Sequence, residues 1–256
     1  MICAANSDIG MKRNVNQDSY ILKTYSDKTA LCVVCDGMGG AKGGAEASKI
    51  ASEAFLASMD EFLAPHIGSK DKTLHASDIR DNLILSVDRA NNAVYTYAKA
   101  HSSLKGMGTT LVAVFVIENN VFCVNVGDSR MYLMKGNKIK QITKDHSYVQ
   151  YLLDMGQITE KEAESFPNKN VITRAVGTED CVTPEYFREG VSEGTFILLC
   201  SDGLTNFVDN EAIRHIVADD SKNIDQLTLG LKVRKLIDTA NENGGADNIT
   251  AALIKL

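Results

Sequence analysis

The chain has 256 residues, of which 44% are hydrophobic and 23% are charged, and its formal net charge is −6. These values are typical of a globular protein, and the acidic balance argues against binding to a nucleic-acid backbone or to an anionic membrane surface. With three prolines and no low-complexity run, the sequence predicts one domain over residues 1–256.

The first predicted elements are one buried strand and two helices. The strand is the apolar run Leu31–Cys35. Gly43 and Gly44 then lead into a helix, and a second helix is predicted to begin near Ser77, whose hydroxyl can cap it. In both helices apolar residues recur every three or four positions, which predicts a face that packs on a hydrophobic core.

The chain becomes rich in β-forming residues after Gly108. Short polar turns at 118–120 and 136–137 separate apolar runs, which predicts two hairpins and antiparallel pairing. Paired helices followed by such strands favour an α+β fold over a doubly wound sheet. Strands are predicted at Thr110–Ile117, Val121–Val126, Met131–Met134, Lys138–Ile142, Pro184–Arg188, Thr195–Cys200 and Ile249–Ile254, and helices at Glu211–Val217 and Gln226–Ala240.

Residues 144–170 form a polar segment between predicted strands. Short helical fragments are predicted at Tyr148–Met155 and Glu160–Phe166. Because segments of this kind are often placed over a functional site, we predict a flap over residues 144–170.

The cysteines and the N-terminus bear on the compartment. Cys32 and Cys35 form a C-x-x-C pair, but residues three apart in a strand point to opposite faces, so we expect core packing and no disulfide. Residues 1–6 lack the features of a secretory signal, and no apolar run is long enough to cross a bilayer. We expect a cytoplasmic monomer with no membrane insertion and no nucleic-acid partner.

Three aspartates stand next to both a glycine and an apolar run. Asp36 and Asp202 follow predicted strands, and Asp247 precedes the last one. A carboxylate at the mouth of a buried strand loses hydration, which must be offset by another interaction. Oxygen ligands of this kind favour a hard divalent cation.

Six short motifs occur in an order that resembles the metal-dependent type 2C protein serine/threonine phosphatases, in their compact bacterial form. The resemblance extends from about residue 7 to the last residue. It implies two stacked antiparallel β-sheets flanked by helices on both outer faces. The motifs are Arg13–Asp18, Asp36–Gly40, Gly108–Thr110, Gly127–Arg130, Ser201–Gly203 and Asp247–Thr250.

The resemblance implies hydrolysis of phosphoserine and phosphothreonine on proteins. The nucleophile in such enzymes is a hydroxide that bridges two divalent ions, Mn²⁺ or Mg²⁺, and attacks phosphorus in line without a phosphoenzyme. The usual counterpart in similar bacterial proteins is a membrane-anchored serine/threonine kinase. The alternative is a non-catalytic regulatory module of the same fold that binds a phosphoprotein or a metal ion. Retention of all the expected aspartates favours the enzyme.

The resemblance also implies a set of metal ligands. Asp36 is expected to bridge the two ions, with the carbonyl of Gly37 as a neighbouring ligand. Asp202 and Asp247 are expected to hold one of these ions together with Asp36. The second ion is expected to rely on Asp36, Gly37 and many waters, as Mg²⁺ and Mn²⁺ sites often do.

Four further residues match family positions around the metal site. Asp18 and Gln17 are expected to orient waters on the second ion, although many relatives carry Glu at the position of Gln17. Asp128 is expected to join Asp202 at a third, weaker metal position. Arg13 is expected to clamp the phosphate through its guanidinium.

The general acid is the least defined part of the expected site. Met38 stands where eukaryotic relatives carry His, and a thioether cannot donate a proton. A metal-bound water is the expected proton donor to the leaving oxygen. His146 lies in a family-like segment, where we expect a structural hydrogen bond at the root of the flap rather than catalysis. For Arg174, a role in the site and a role in ordering the flap are both open.

Overall fold

Two antiparallel sheets form the centre of the computed structural model, which describes residues 1–66, 74–164, 166–167, 171–218 and 224–256. The first sheet has the strand order β1-β11-β10-β7-β8, and the second has the order β2-β3-β5-β6-β9, with β4 paired to β3. The strands are β1 (Ile2–Asp8), β2 (Asp18–Ser26), β3 (Thr29–Met38), β4 (Gly108–Thr109), β5 (Leu111–Ile117), β6 (Asn120–Val126), β7 (Arg130–Lys135), β8 (Lys138–Gln141), β9 (Glu185–Gly190), β10 (Phe196–Cys200) and β11 (Ile249–Lys255).

Helices cover the outer face of each sheet. Phe55 and Met59 are fully buried against the second sheet, and Leu236 and Ile237 are buried in the core against the first sheet. Burying one such side chain contributes about 1.5–3 kcal/mol. The helices are α1 (Gly40–Leu63), α2 (Ala76–Ala100), α3 (Tyr148–Asp154), α4 (Glu160–Glu164), α5 (Asp202–Thr205), α6 (Asn210–Val217) and α7 (Gln226–Glu242), and a 3₁₀ turn spans Ser102–Leu104.

A third core lies between the two sheets. Cys32 and Val34 of β3 pack there against Ile197 and Leu199 of β10, whereas Cys35 faces the helices on the other side of β3. The opposite orientation of the two cysteines is therefore confirmed, and all six cysteines of the chain are free thiols. The predicted α+β fold, with two stacked antiparallel sheets and helices on both outer faces, is confirmed.

The start of α1 differs from the prediction. The helix begins at Gly40, so Gly43 and Gly44 lie inside its first turns and do not precede it. Gly39, with φ +116°, makes the turn from β3 into the helix in a conformation that side chains disfavour. Gly44 is required by packing, because a Cβ there would lie 2.1 Å from the side-chain nitrogen of Gln17.

The predicted cap of α2 is wrong by two residues. The helix begins at Ala76, and His75 occupies the extended N-cap position without a side-chain cap. Ser77 lies within the first turn, where its hydroxyl donates to the carboxylate of Asp78 at 3.2 Å. The sequence alone does not distinguish a serine in the first turn of a helix from a serine at its N-cap.

The sequence analysis did not identify β1, β2, the two-residue β4 or the four-residue α5. The first two strands mix polar and half-buried residues, so their sequences show no clear alternation. β1 also pairs with β11 from the other end of the chain, and no local pattern predicts that pairing. Two predictions lie partly outside the described residues: the fragment Glu160–Phe166 and the flap over 144–170. Of the helices that are described, none has the length and apolar character to span a membrane.

Candidate active site

Asp18 and Asp36 are direct cross-strand partners in the β2–β3 pair. Like charges in such a position repel. Burial raises the pKa of Asp36 well above its usual range, and the negative charges of Asp18, Asp202 and other aspartates raise it further. Burial also raises the pKa of Asp18 to about 6. The fold therefore holds two carboxyl groups together at an energetic cost.

Asp202 and Asp247 come from neighbouring strands of the first sheet. Asp202 opens α5 directly after β10, and Asp247 precedes β11. One oxygen of Asp202 accepts a hydrogen bond from Asn206 at 3.0 Å, and its Oδ1 is buried without a partner among the described residues. Burial raises the pKa of Asp202, and the charge of Asp247 adds to the effect.

Asp128 lies in the turn that carries the chain from β6 of the second sheet to β7 of the first. Gly127 makes this turn with φ +104°, and the side chain of Thr110 packs against it so closely that a Cβ would lie 2.6 Å away. Burial raises the pKa of Asp128 to about 8, with the charges of Asp202 and Asp145 adding to it. Asp128 thus joins the carboxyl cluster at the junction of the two sheets.

Two threonines fix the backbone of Asp36. The amide of Asp36 donates to Oγ1 of Thr110 at 2.9 Å, and the hydroxyl of Thr109 donates to its carbonyl at 2.8 Å. The hydroxyl of Thr110 also lies 2.7 Å from that of Ser129, the neighbour of Asp128. This chain of hydroxyl groups links the two segments that carry Asp36 and Asp128.

A second pair of hydroxyl groups holds Asp18. Ser201 and Thr250 donate to its Oδ2 at 2.7 and 2.6 Å. Within the described part of the chain, its Oδ1 is buried and has no hydrogen-bond partner. A buried oxygen without a hydrogen bond costs free energy. Oδ1 of Asp18 can therefore accept a hydrogen bond from a further donor or from the water of a hydrated cation.

Gln17 is held by its backbone and its side chain. Its amide nitrogen Nε2 donates to the carbonyl of Gly40 at 2.7 Å, and its backbone N–H donates to the side chain of Asn248 at 2.8 Å. Asn248 also donates to the carbonyls of Ile9 and Val15, at 2.9 and 3.0 Å. Asn248 therefore fastens both ends of the loop that carries Arg13.

The carboxyl groups surround a cavity of about 500 Å³ at the end of the two sheets. Arg13 lies on its rim, where its guanidinium donates to Oδ2 of Asp247 at 2.8 Å. That hydrogen bond raises the pKa of Arg13 above its usual value. Of the predicted site residues, the cavity is lined by Arg13, Gln17, Asp36, Gly37, Asp128, Asp202 and Asp247.

His146 anchors the root of the flap. Its Nδ1 accepts the N–H of Gly127 at 3.0 Å, and its own backbone N–H donates to the carbonyl of Gly127 at 3.0 Å. The predicted structural hydrogen bond is thus confirmed. Burial lowers the pKa of His146, and the positive charge of Arg174 lowers it further. Arg174 donates to the carbonyl of Thr183 at 2.9 Å. This hydrogen bond joins two parts of the segment that follows the predicted flap.

Comparison with known proteins gives this arrangement its family. The sequence model for protein phosphatase 2C matches residues 11–234. The chain belongs to the protein phosphatase 2C family. The serine/threonine phosphatase stp of Listeria innocua is 35% identical over 249 residues, covering 97% of this chain and 93% of the relative. Protein phosphatase PhpP of Streptococcus pneumoniae is 33% identical over 250 residues, covering 98% and 95%.

Solved structures agree with this membership of the protein phosphatase 2C family. The phosphatase PstP/Ppp of Mycobacterium tuberculosis has a TM-score of 0.82 and 33% identity, covering 99% of this chain and 97% of that one. Stp1 of Staphylococcus aureus has a TM-score of 0.85 and 32% identity, covering 100% and 95%. A PstP catalytic domain solved with two manganese ions has a TM-score of 0.79 and 33% identity, covering 98% and 96%.

The residues of this phosphatase 2C chain fit divalent cations. The donors are carboxylate and carbonyl oxygens, which suit Mg²⁺ and Mn²⁺. Asp18 and Asp202 each have one buried oxygen without a hydrogen-bond partner among the described residues, and a cation could offset the cost of burying it. In the part of the chain that the structure describes, no group of three or more carboxyl, thiol or imidazole side chains is arranged so that it could hold a metal ion without rearrangement.

Sequence reasoning missed the residues that hold the carboxyl groups in place. Thr110, Ser129, Ser201, Asn248 and Thr250 are all buried, and each is hydrogen-bonded to a segment that carries a predicted site residue. The available signal was their position inside the six short motifs, where all but Thr110 share a motif with an aspartate. A buried hydroxyl or amide beside a site aspartate indicates a hydrogen-bonding role.

Proposed function

We propose that this chain is a metal-dependent phosphatase that hydrolyses phosphoserine and phosphothreonine on proteins. The observation that carries the proposal is the meeting of carboxylates from both sheets around one open cavity of about 500 Å³. Membership of the protein phosphatase 2C family supports it. The stp and PstP/Ppp relatives are serine/threonine phosphatases by name.

The metal ligands in this proposal are the oxygen atoms that the cavity presents. Asp36 would serve both ions, Asp202 and Asp247 would hold one of them with it, and the carbonyl of Gly37 would serve the other. Gln17, which lines the cavity, and Asp18, which pairs with Asp36 across the strands but does not line the cavity, would hold waters on the other ion. Bound divalent cations lower the pKa of water and neutralise negative charge on a phosphoryl group. The protein's part is to hold these carboxylates close together despite their mutual repulsion.

Arg13 would bind the phosphoryl group. Its guanidinium lies on the cavity rim beside Asp247, and its side chain is 47% exposed, so it can turn from the carboxylate to an incoming phosphate. A planar guanidinium matches two phosphoryl oxygens at once. Met38 also lines the cavity and has no proton to donate, so the proton for the departing seryl or threonyl oxygen would come from water.

The principal rival is a non-catalytic module that binds a phosphoprotein or a metal ion. A module that binds a phosphoprotein without a metal ion has no need to keep carboxyl groups in mutual repulsion. Here Asp18, Asp36, Asp128 and Asp202 all have raised pKa values because burial and neighbouring charges act on them together. This arrangement favours metal binding, and Arg13 on the rim of the same cavity supplies a group for the phosphate, so the two features together favour the enzyme.

Several finer points extend the proposal. A third, weaker ion would lie at Asp128 and Asp202, which also line a second cavity of about 260 Å³ beneath the flap. We place the whole chain in one catalytic domain, acting as a monomer. Six free thiols support a reducing, cytoplasmic setting. A serine/threonine kinase is the expected counterpart, because the substrates must first be phosphorylated.

The test is hydrolysis of p-nitrophenyl phosphate and of a phosphothreonine peptide by the purified protein with Mn²⁺, Mg²⁺ or EDTA. We expect activity with either ion and none with EDTA. A folded protein that stays inactive with both ions, yet binds the phosphopeptide, would instead establish the regulatory module.

A further inference from the structure

A groove of about 470 Å³ adjoins the catalytic cavity on the side of Met38 and Ile172. These two residues line both the cavity and the groove, so the two spaces adjoin at an apolar rim. A phosphorylated residue whose phosphoryl group lies at the carboxylates has polypeptide on both sides. The substrate chain must therefore cross the rim of the cavity.

The far wall of the groove is fixed to the catalytic centre. Val176 and Thr109 exchange backbone hydrogen bonds of 2.8 and 3.0 Å, and the hydroxyl of Thr109 holds the carbonyl of Asp36. The amide of Gly177 donates to the buried side chain of Asn91 at 2.7 Å. Backbone pairing thus sets the distance between the groove and the catalytic carboxylates. This distance is fixed before any substrate binds.

The lining of the groove combines apolar side chains with hydroxyl groups. Arg174 and Glu179 contribute one charge of each sign, so the groove selects no net charge. The cavity beneath the flap differs, because Asp128, Asp145 and Glu160 line it. The apolar residues of the groove are Met38, Ile172, Ala175 and Val182, and its hydroxyl residues are Thr173, Thr178 and Thr183.

We propose that this groove is a substrate subsite that receives an aliphatic side chain within a few residues of the phosphorylated serine or threonine. The inference rests on the phosphatase function proposed above and names a sequence preference for it. The apolar wall buries the side chain, and the threonine hydroxyls face the adjoining main chain of the substrate. Val182 and Thr183 are the residues that set the preference.

The test fills the groove from an exposed position. The side chain of Thr183 is exposed, and the hydrogen bond that it gives the fold uses its backbone carbonyl, so Thr183→Trp should fold normally. Thr24→Trp is the matched control, because Thr24 is an exposed threonine of β2 that lines a different cavity. The substrates are phosphothreonine peptides with one Leu at each nearby position of an Ala background, and p-nitrophenyl phosphate.

We expect one Leu peptide to exceed the Ala peptide about fivefold or more in kcat/KM, a modest value for one apolar contact. Thr183→Trp should abolish this preference by raising KM, while p-nitrophenyl phosphate hydrolysis stays within about twofold of the wild type. Thr24→Trp should keep the preference. The absence of a Leu preference at every position would overturn the proposal.

A second readout uses Cys181, which lines the groove and is exposed while the other five cysteines are buried. A Leu peptide that carries a non-hydrolysable phosphonate should slow maleimide labelling of Cys181, and the Ala peptide should slow it less. Equal labelling with both peptides would place the side chain elsewhere. Failure of p-nitrophenyl phosphate hydrolysis with Mn²⁺ in every protein would instead contradict the phosphatase function itself.

Discussion

Asp36 lies near the end of a strand that is buried on both faces, whereas α3 of the predicted flap and its C-cap residue expose Tyr148, Tyr151 and Met155 by 45%, 53% and 58%. The first region contains repelling carboxyl groups that only a rigid frame can keep together. The second makes few buried contacts, and segments of that kind open at low free energy. The chemistry is therefore expected at the strand ends, and we propose that the flap and the groove near it govern the choice of substrate.

The largest effect is expected at the centre of the rigid region. Asp36→Asn should lower kcat/KM at least about 100-fold, because loss of a metal ligand should exceed the 10–100-fold effect of losing a residue that supports one. In EDTA the variant should melt at the same temperature as the wild type or higher, since a repelling charge is removed. Asp27→Asn, an exposed aspartate between β2 and β3, is the control. Near-normal turnover in Asp36→Asn would contradict the placement of the chemistry at the strand ends.

Arg13 tests whether the rim of the rigid region binds phosphate. Arg13→Ala should lower kcat/KM by about 10–100-fold, as expected for losing a charged hydrogen bond of about 1.5–3 kcal/mol. Stability should change little, because the ion pair with Asp247 is half exposed. Steady-state kinetics and urea unfolding measure the two quantities. A large loss of stability with unchanged kinetics would assign Arg13 a structural role.

Thr110 tests the frame behind the carboxyl groups. Thr110→Val removes the acceptor of the Asp36 amide in a buried site and should cost about 1–3 kcal/mol of unfolding free energy. It should also weaken Mn²⁺ binding measured by calorimetry, since the Asp36 backbone loses its anchor. Thr110→Ser keeps the hydroxyl and should bind Mn²⁺ nearly as well as the wild type. Equal behaviour of Val and Ser would show that the hydroxyl is dispensable.

The smallest expected effect is on the pH dependence of stability and concerns His146, at the junction of the two regions. Because the pKa of His146 in the fold is lowered from its usual 6.5, the unfolded chain takes up this proton first as the pH falls. The stability that neutral His146 contributes is therefore present above pH 6.5 and declines below it. Urea unfolding at pH 7.5 and 5.5 should show a smaller decline in His146→Asn, which can still accept from Gly127. An equal decline in both proteins would contradict this account.

Sequence reasoning worked best where a pattern is local. The apolar run Leu31–Cys35 and the hairpin turns led to the correct strands and to the correct layered fold, which the family resemblance completed. It was weakest where contacts are distant, as with β1, whose partner β11 lies at the other end of the chain. Thr110 and Asn248 escaped notice for the same reason, since their hydrogen bonds join segments far apart in sequence.

Asp36 belongs to a strand of one sheet, whereas Asp202 and Asp247 flank strands of the other, and this division has a consequence for the synthesis of the enzyme. During synthesis β1 is made long before its partner β11 and must wait for it. Neither sheet alone contains the carboxylates of a working site. Phosphatase activity should therefore appear only when the two sheets dock, so partly synthesised or partly folded chains cannot dephosphorylate proteins prematurely.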